Sequence, residues 1–184
     1  MGKKIVIVGG VAGGATAAAR LRRLDEQAEI IMFERGEHIS FANCGLPYYI
    51  GETITKREKL LVQTVAGMGH RLQLDIRNST EIVKINREQK TVTAKNLLTG
   101  ESYQESYDVL LLSPGAKPNV PNIEGLKDSA NIFTLRNIPD TDKIKHFVDH
   151  QRPEHAVIVG GGYIGLEMAD NLADRGIKVT VVQR

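Results

Sequence analysis

Glycine is spaced in this chain as a phosphate-binding backbone needs it, and it is so spaced twice. Gly160, Gly162 and Gly165 stand as G-x-G-x-x-G. In such a turn the first glycine makes the tight bend, and the second lets the main chain approach a pyrophosphate. The third lets the following helix pack closely on its strand. Unpaired N–H groups at the start of that helix then face the phosphates. Near the N-terminus, Gly9 and Gly14 hold the first and third places, with Val11 at the second and Gly10 and Gly13 flanking it. Glu34 follows Gly14 by 20 residues, which suits a carboxylate that accepts a ribose diol. The matching place in the second copy is Gln183, followed by Arg184. A neutral residue beside an arginine suits a 2′-phosphate better than a bare ribose. The sole cysteine, Cys44, lies in Ser40-Phe41-Ala42-Asn43-Cys44-Gly45-Leu46-Pro47-Tyr48-Tyr49. It reads either as a small buried hydrophobe or as a reactive thiol. Asn43 and Gly45 suit a turn, and a short helix over 45–50 would set the thiol at a helix N-terminus, which favours thiolate. One cysteine cannot cycle an internal dithiol. A redox role requires an external thiol in a mixed disulfide, or a sulfenic acid.

These residues need strands and helices to hold them. Ile5-Val6-Ile7-Val8 is a β-branched run without alternation, as in a parallel strand buried on both faces. Ala15 to Leu24 is a strong helix former with Arg20, Arg22 and Arg23 near its end. Ile30 to Phe33 is the next strand, which completes a βαβ unit. Residues 72–76, 80–86, 90–96 and 102–112 read as short strands separated by turns such as Asn78-Ser79 and Thr99-Gly100. Asp108 to Leu112 returns to a buried strand, 114–125 is a Pro/Gly loop, and Pro139 to His150 is a helix with proline in its first turn. The opening pattern then recurs at an offset of 151: strand Ala156–Val159, the glycine turn, a helix over 166–174 ended by Gly176, and strand Val179–Val182. The boundary between the two copies lies near Gln151–Glu154.

Composition sets the frame. Of 184 residues, 24 are basic and 22 acidic, a net charge of +2 that gives no nucleic-acid-seeking surface. A single cysteine rules out a disulfide scaffold, and 41% hydrophobic content argues against disorder. No apolar run is long enough for a membrane span, and the N-terminal run is too short and glycine-broken for a signal peptide. The cytoplasm is the expected location. The five histidines show no metal spacing, so no metal is expected; His70, His146 and His150 read as surface residues, and Phe41, Tyr48 and Tyr49 as packing residues.

The run Ile7 to Gly14, then Phe33-Glu34-Arg35, Ser40 to Tyr48, Leu112-Ser113-Pro114-Gly115-Ala116, Leu135-Arg136-Asn137 and Gly160 to Glu167 resembles the pyridine nucleotide-disulfide oxidoreductases. Within them it is most similar to the coenzyme A-disulfide reductases and NADH-dependent persulfide reductases. Val11 is shared by that group, whereas the related NADH oxidases and peroxidases usually carry Leu-Ser where this chain has Ala42-Asn43. The resemblance implies an α/β fold. A Rossmann-like three-layer FAD-binding domain with a small antiparallel β-meander fills 1–151, and the beginning of a Rossmann-like NAD(P)-binding domain fills 152–184. It implies that Gly9, Gly10, Ala12, Gly13, Glu34 and Arg35 hold the ADP half of FAD, and that Ile82 meets the adenine through its backbone. Ser113, Pro114 and Gly115 would close over the flavin. Gly160, Gly162, Tyr163, Ile164, Gly165 and Glu167 would hold NADH or NADPH. Cys44 would be the catalytic thiol, with Thr16, Arg20, Arg23, Ser40 and Asn43 around coenzyme A; Asn43 would also border the flavin. Arg20, Arg22 and Arg23 read equally as a solvated helix face.

Members of that family are two to three times longer and work as homodimers on small thiols and disulfides. The expectation is therefore that this chain is the N-terminal portion of such a reductase and does not turn over alone. Two alternatives remain: an NADH oxidase or peroxidase using a Cys44 sulfenic acid, and a non-catalytic nucleotide-binding module.

Overall fold

The computed structural model describes residues 2–126 and 129–183. The chain forms two compact units, Met1–Phe41 with Leu61–Gly115, and Ala42–Leu60 with Ala116–Arg184.

The first unit is built on β1 (Lys4–Val8), α1 (Gly13–Leu24) and β2 (Glu29–Phe33). α2 (Leu46–Ile50) belongs to the other unit. After it come α3 (Val65–Leu72), β3 (Asp75–Arg77), β4 (Thr80–Asn86), β5 (Thr91–Asn96), β6 (Ser102–Ser106) and β7 (Val109–Leu112). β3, β2, β1 and β7 form a parallel sheet in that order, while β4, β5 and β6 form an antiparallel meander. β1 and β2 are buried on two faces, as their unalternating composition requires; β7, expected to be buried as well, ends the strand order and is not, with Val109 44% and Leu112 55% exposed. Ile5, Ile7, Ile30 and Met32 pack towards Ala15 and Ala18 of α1 and Met68 of α3. Val6, Ile31 and Phe33 pack towards Val92 and Ala94 of the meander. The unit is a three-layer α/β/β sandwich.

Two elements differ from the sequence reading. Residues 72–76 are not one strand: α3 ends at Leu72, Gln73 turns the chain at φ 48°, and β3 begins at Asp75 and joins the parallel sheet. Gly67 and Gly69 hide α3 from a propensity reading, yet Thr64 caps it by accepting the Gly67 N–H at 3.0 Å. Met68, 2% exposed, anchors it.

Charge fastens the layers together. Glu105 accepts from Lys4 Nζ at 2.6 Å and from Arg77 Nη1 at 2.6 Å, and the Arg77 guanidinium lies over the Phe33 and Tyr103 rings. Burial alone raises the Glu105 carboxyl, but the hydrogen bonds from Lys4 and Arg77 outweigh it and hold it below the usual carboxylate range. A carboxyl lowered in the folded state stabilises above its unfolded pKa and loses that contribution as pH falls through the folded one. Glu105→Gln should therefore cost about 1–2 kcal/mol at pH 7, between exposed and buried pairs. The gap to the unchanged chain should close as urea denaturation is repeated below pH 4.

In the second unit, α4 (Ile138–Gln151), β8 (His155–Val159), α5 (Tyr163–Asp174) and β9 (Lys178–Val182) follow one another. β8 and β9 pair in parallel. Two strands and one helix supply too little surface for a core. α2 and α4 complete it: Ile50, Ile144, Val148, Met168, Leu172 and Ile177 form one buried cluster. α5 begins at Tyr163, three residues before the start expected from its sequence, because Gly165 sits inside its first turn. The compact units cut across the boundary read near Gln151–Glu154, since segment 42–60 packs with the residues that follow 116.

Candidate functional site: two glycine turns and one thiol

The two glycine turns are built alike. Gly9 and Gly160 take φ of 96° and 111°, which glycine alone adopts freely. A Cβ on Gly14 would overlap the Gly9 carbonyl and crowd Ile7 Cγ2 at 3.1 Å; a Cβ on Gly165 would overlap the Gly160 carbonyl and crowd Ile158 Cγ2 at 3.2 Å. Each third glycine thus lets its helix lie directly on its turn. After each second strand an acceptor reaches back to the turn. Glu34 Oε2 accepts the Gly10 N–H at 2.7 Å, and Gln183 Oε1 accepts the Gly161 N–H. Gln183 therefore occupies the place that Glu34 holds in the first copy; Arg184 lies outside the described residues. Glu34 also accepts from Gly36 N at 2.7 Å, so both its oxygens are oriented by backbone at the end of β2.

The helix starts behind these turns differ from those of α3 and α4, though the five-residue α2 is uncapped as well. Thr64 caps α3, and Asn137 caps α4 by accepting the Asp140 N–H at 2.9 Å. α1, capped at Ala12, and α5, capped at Gly162, carry no side-chain cap and no acidic residue in the first turn. Their leading N–H groups are open to an anion. Gly162 has φ −77°, and a Cβ there would meet nothing within 4 Å. Packing among the described residues does not require glycine at that place, and the open space is what close approach by a pyrophosphate would need. The residues present fit a dinucleotide at both turns.

Around the first turn, Ser113 N donates to Val8 O at 2.7 Å, and a Cβ on Gly9 would overlap the Ser113 carbonyl. Ser113, Pro114 and Gly115 thus leave β7 against the turn that carries Gly9, Gly10, Ala12 and Gly13. Ile82 pairs with Ala94 beside a bulge in β4, and its side chain packs on the sheet. Arg35 is exposed and lies 3.6 Å from Glu81. In the second unit Tyr163 and Ile164 open α5 exposed, and Glu167 is half-buried one turn on.

Cys44 is exposed, so it is not a small buried hydrophobe. It sits in a 3-10 turn, Asn43–Gly45, that runs directly into α2. Asn43 accepts from Arg136 Nη1 at 3.4 Å, and Arg136 Nε donates to the Ala116 carbonyl at 2.9 Å. Thr16, Arg20 and Arg23 lie at i, i+4 and i+7 on the exposed face of α1. Arg22 behaves differently: it donates to the carbonyls of Asp25, Glu26, Ala28, Leu72 and Gln73 and ties α1 to the chain after α3. Ser40 takes φ 45°, donates its N–H to Gly10 O and accepts from Val62 N and Gln63 N. Thr16, Arg20, Arg23 and Ser40 belong to the first unit, and Asn43 and Cys44 to the second.

Sequence reasoning missed Arg57, Arg175 and Asn171. Arg57 grips Asp142 with Nε and Nη2 at 2.9 and 2.8 Å, and Arg175 donates to Ile50 O and Asp149. The two arginines look like surface residues in sequence, because their partners lie 26 to 125 positions away. Among the described residues no group of three His, Cys, Asp or Glu could hold a metal ion. Among them, too, no helix is long and apolar enough to cross a membrane.

The coenzyme A disulfide reductase of Staphylococcus epidermidis is 46% identical over 181 residues, 98% of this chain and 40% of that protein. That of Staphylococcus aureus is 45% identical over the same length. Among solved structures, the reduced CoADR-RHD of Bacillus anthracis matches all of this chain and 33% of its own at 63% identity and a TM-score of 0.98. The NAD-dependent persulfide reductase of A. fulgidus matches 97% of the chain and 33% of its own at 34% identity and a TM-score of 0.91. The chain thus spans about 40% of the length of the curated relatives it matches. The model of the pyridine nucleotide-disulphide oxidoreductases matches residues 3–184. With two glycine turns of one design and a lone thiol on a helical turn, the chain belongs to that family.

Proposed function

We propose that this chain is the N-terminal portion of an FAD-dependent, NAD(P)H-driven reductase of coenzyme A disulfide or a related persulfide. Residues 1–151 serve FAD and 152–184 begin the NAD(P) domain. The observation that carries this reading is the pair of uncapped helix starts behind the glycine turns, with Gly162 standing where packing does not demand a glycine.

Gly9 to Gly13 and the first N–H groups of α1 bind the FAD pyrophosphate, Glu34 its ribose, and Ser113 to Gly115 border it. Gly160 to Gly165, with Glu167, bind the nicotinamide cofactor; Gln183, an amide rather than a carboxylate, admits either NADH or NADPH. The flavin, when bound, supplies the two-electron step between nicotinamide and sulfur. Cys44 thiolate attacks one sulfur of the substrate disulfide. A Cys44–S–S–CoA bond forms, the substrate S–S bond breaks, and one coenzyme A thiolate leaves and takes a proton. Arg20 and Arg23 meet the phosphates of coenzyme A, and Thr16, Ser40 and Asn43 its polar groups. The whole protein acts as a homodimer in the cytoplasm; Cys44 returns to thiolate, and the second coenzyme A leaves as thiol, when the mixed disulfide takes up a proton and the two electrons that NAD(P)H would supply by way of the flavin.

Titration of the 184-residue chain with FAD tests the reading. Flavin fluorescence should be quenched saturably, and Gly162→Ala should leave that binding intact while abolishing protection of the second unit by NAD+ in hydrogen exchange. A chain that takes up no FAD would be a scaffold without the proposed activity.

A further inference from the structure

We propose that Asn171, in the last turn of α5, and Arg175, which caps its C-terminal end, are positioning residues for Cys44, acting through the C-terminal end of α2. The inference rests on the reading of Cys44 as the thiol that attacks a disulfide.

A five-residue helix cannot hold itself in water, since helices under about 12 residues are marginal even in favourable sequences. α2 is held by its neighbours instead. Ile50 is fully buried in the cluster it shares with α4 and α5. Arg175 Nη1 donates to the Ile50 carbonyl at 3.1 Å, one of the orphan carbonyls at the helix end, and to Asp149 Oδ1 at 2.6 Å. Its Nη2 lies 3.8 Å from Glu52 Oε1, which Lys145 also reaches at 3.1 Å.

Asn171 works beside it by shape. It is 3% exposed, and its Nδ2 donates to the Glu167 carbonyl at 2.8 Å. That bond fixes the amide against Gly51, where a Cβ would overlap Asn171 Oδ1, Cβ and Cγ. Gly51 has φ −75°, a conformation any residue adopts. Glycine is there to let α2 and α5 interlock.

The thiol inherits this order. Gly45 N donates to Ala42 O at 2.9 Å, and Leu46 N donates to Asn43 O, so the turn bearing Cys44 continues into α2 without a break. The direction of the Cys44 side chain is set by α2, and that of α2 by α5. α5 also begins at the second glycine turn, so one helix serves the nucleotide at its start and the thiol towards its end.

Attack on a disulfide needs the sulfur in line with the bond that breaks, and a misplacement of about 1 Å can cost a hundredfold. A small alkylating agent makes no such demand. The test therefore compares, in the reduced chain, the rate of Cys44 exchange with glutathione disulfide and the rate of its alkylation by iodoacetamide. Arg175→Met and Asn171→Ala should each slow exchange about tenfold while alkylation changes less than about twofold. Arg175→Lys, which keeps a donor, should recover most of the loss. Glu52→Gln, at an exposed position that folding tolerates, should give a smaller loss in the same direction. The proposal is overturned if both reactions change by the same factor, or if neither changes. Glutathione disulfide is used so that a failed preference for coenzyme A leaves this result standing. If unmodified Cys44 exchanges with no disulfide at all, the reading of Cys44 falls and this inference with it.

Discussion

Gly14→Ala should destabilise the first unit by about 3 kcal/mol, at the upper end for an added methyl in a packed interior. The methyl would overlap the Gly9 carbonyl, with Ile7 Cγ2 behind it. A side chain in the way can rotate; this carbonyl cannot, because Gly9 N is tied to Phe33 O at 2.8 Å and the turn is fixed at φ 96°. The only relief is to lift α1 off β1, which exposes Ala15 and Ala18 from the core. The melting temperature should fall by roughly 15 °C, and FAD binding should be lost with the turn. Gly165→Ala should do the same to the second unit, where the overlap is with the Gly160 carbonyl. Gly162→Ala is the contrast: a Cβ there meets nothing, so stability should stay within about 0.5 kcal/mol. If all three variants melt alike, the third glycines do not have the packing role assigned to them.

Cys44→Ser should abolish disulfide exchange, to below detection, and leave the fold intact. Cys44 is exposed and the chain has no second cysteine to substitute for it. A serine hydroxyl stays protonated at neutral pH and is a poor nucleophile towards sulfur, so no residual mixed disulfide is expected. Because the side chain is not part of the core, stability should change by less than about 0.5 kcal/mol. Mass spectrometry and a thermal melt on the same sample separate the two effects. Loss of exchange together with loss of folding would assign Cys44 a structural role instead.

The features that could be read from sequence are those set by local spacing. Gly14 and Gly165 announce their turns, because each closes on the carbonyl of the glycine five residues before it, and Gly9 and Gly160 do so through the positive φ of the bend itself. β1 and β2 announce themselves through their unbroken apolar runs, whereas the similar runs of β8 and β9 mark strands but not burial, since Val157 and Val159 are exposed. Arg22 was less legible than it could have been. It follows Ala15 and Ala18 by seven and four positions, which puts it on the buried face of α1, away from Arg20 and Arg23. What sequence could not give is the support behind Cys44. Ile50 meets Ile144, Gly51 meets Asn171, and Ile50 O meets Arg175, pairs 94 to 125 positions apart. No local pattern marks them, and each residue alone looks ordinary. The same holds for Lys4, Arg77 and Glu105, whose pairing depends on the meander folding back on the sheet.

The central claim is that two dinucleotide turns serve one thiol that carries substrate sulfur. Its most direct test is the mass of the Cys44 peptide after the reduced chain is mixed with coenzyme A disulfide, quenched and digested. The account predicts a coenzyme A adduct on Cys44, formed with release of one coenzyme A thiol and reversed by dithiothreitol. A Cys44 that remains unmodified, or that yields a sulfenic acid on exposure to peroxide but never a coenzyme A adduct, would contradict it.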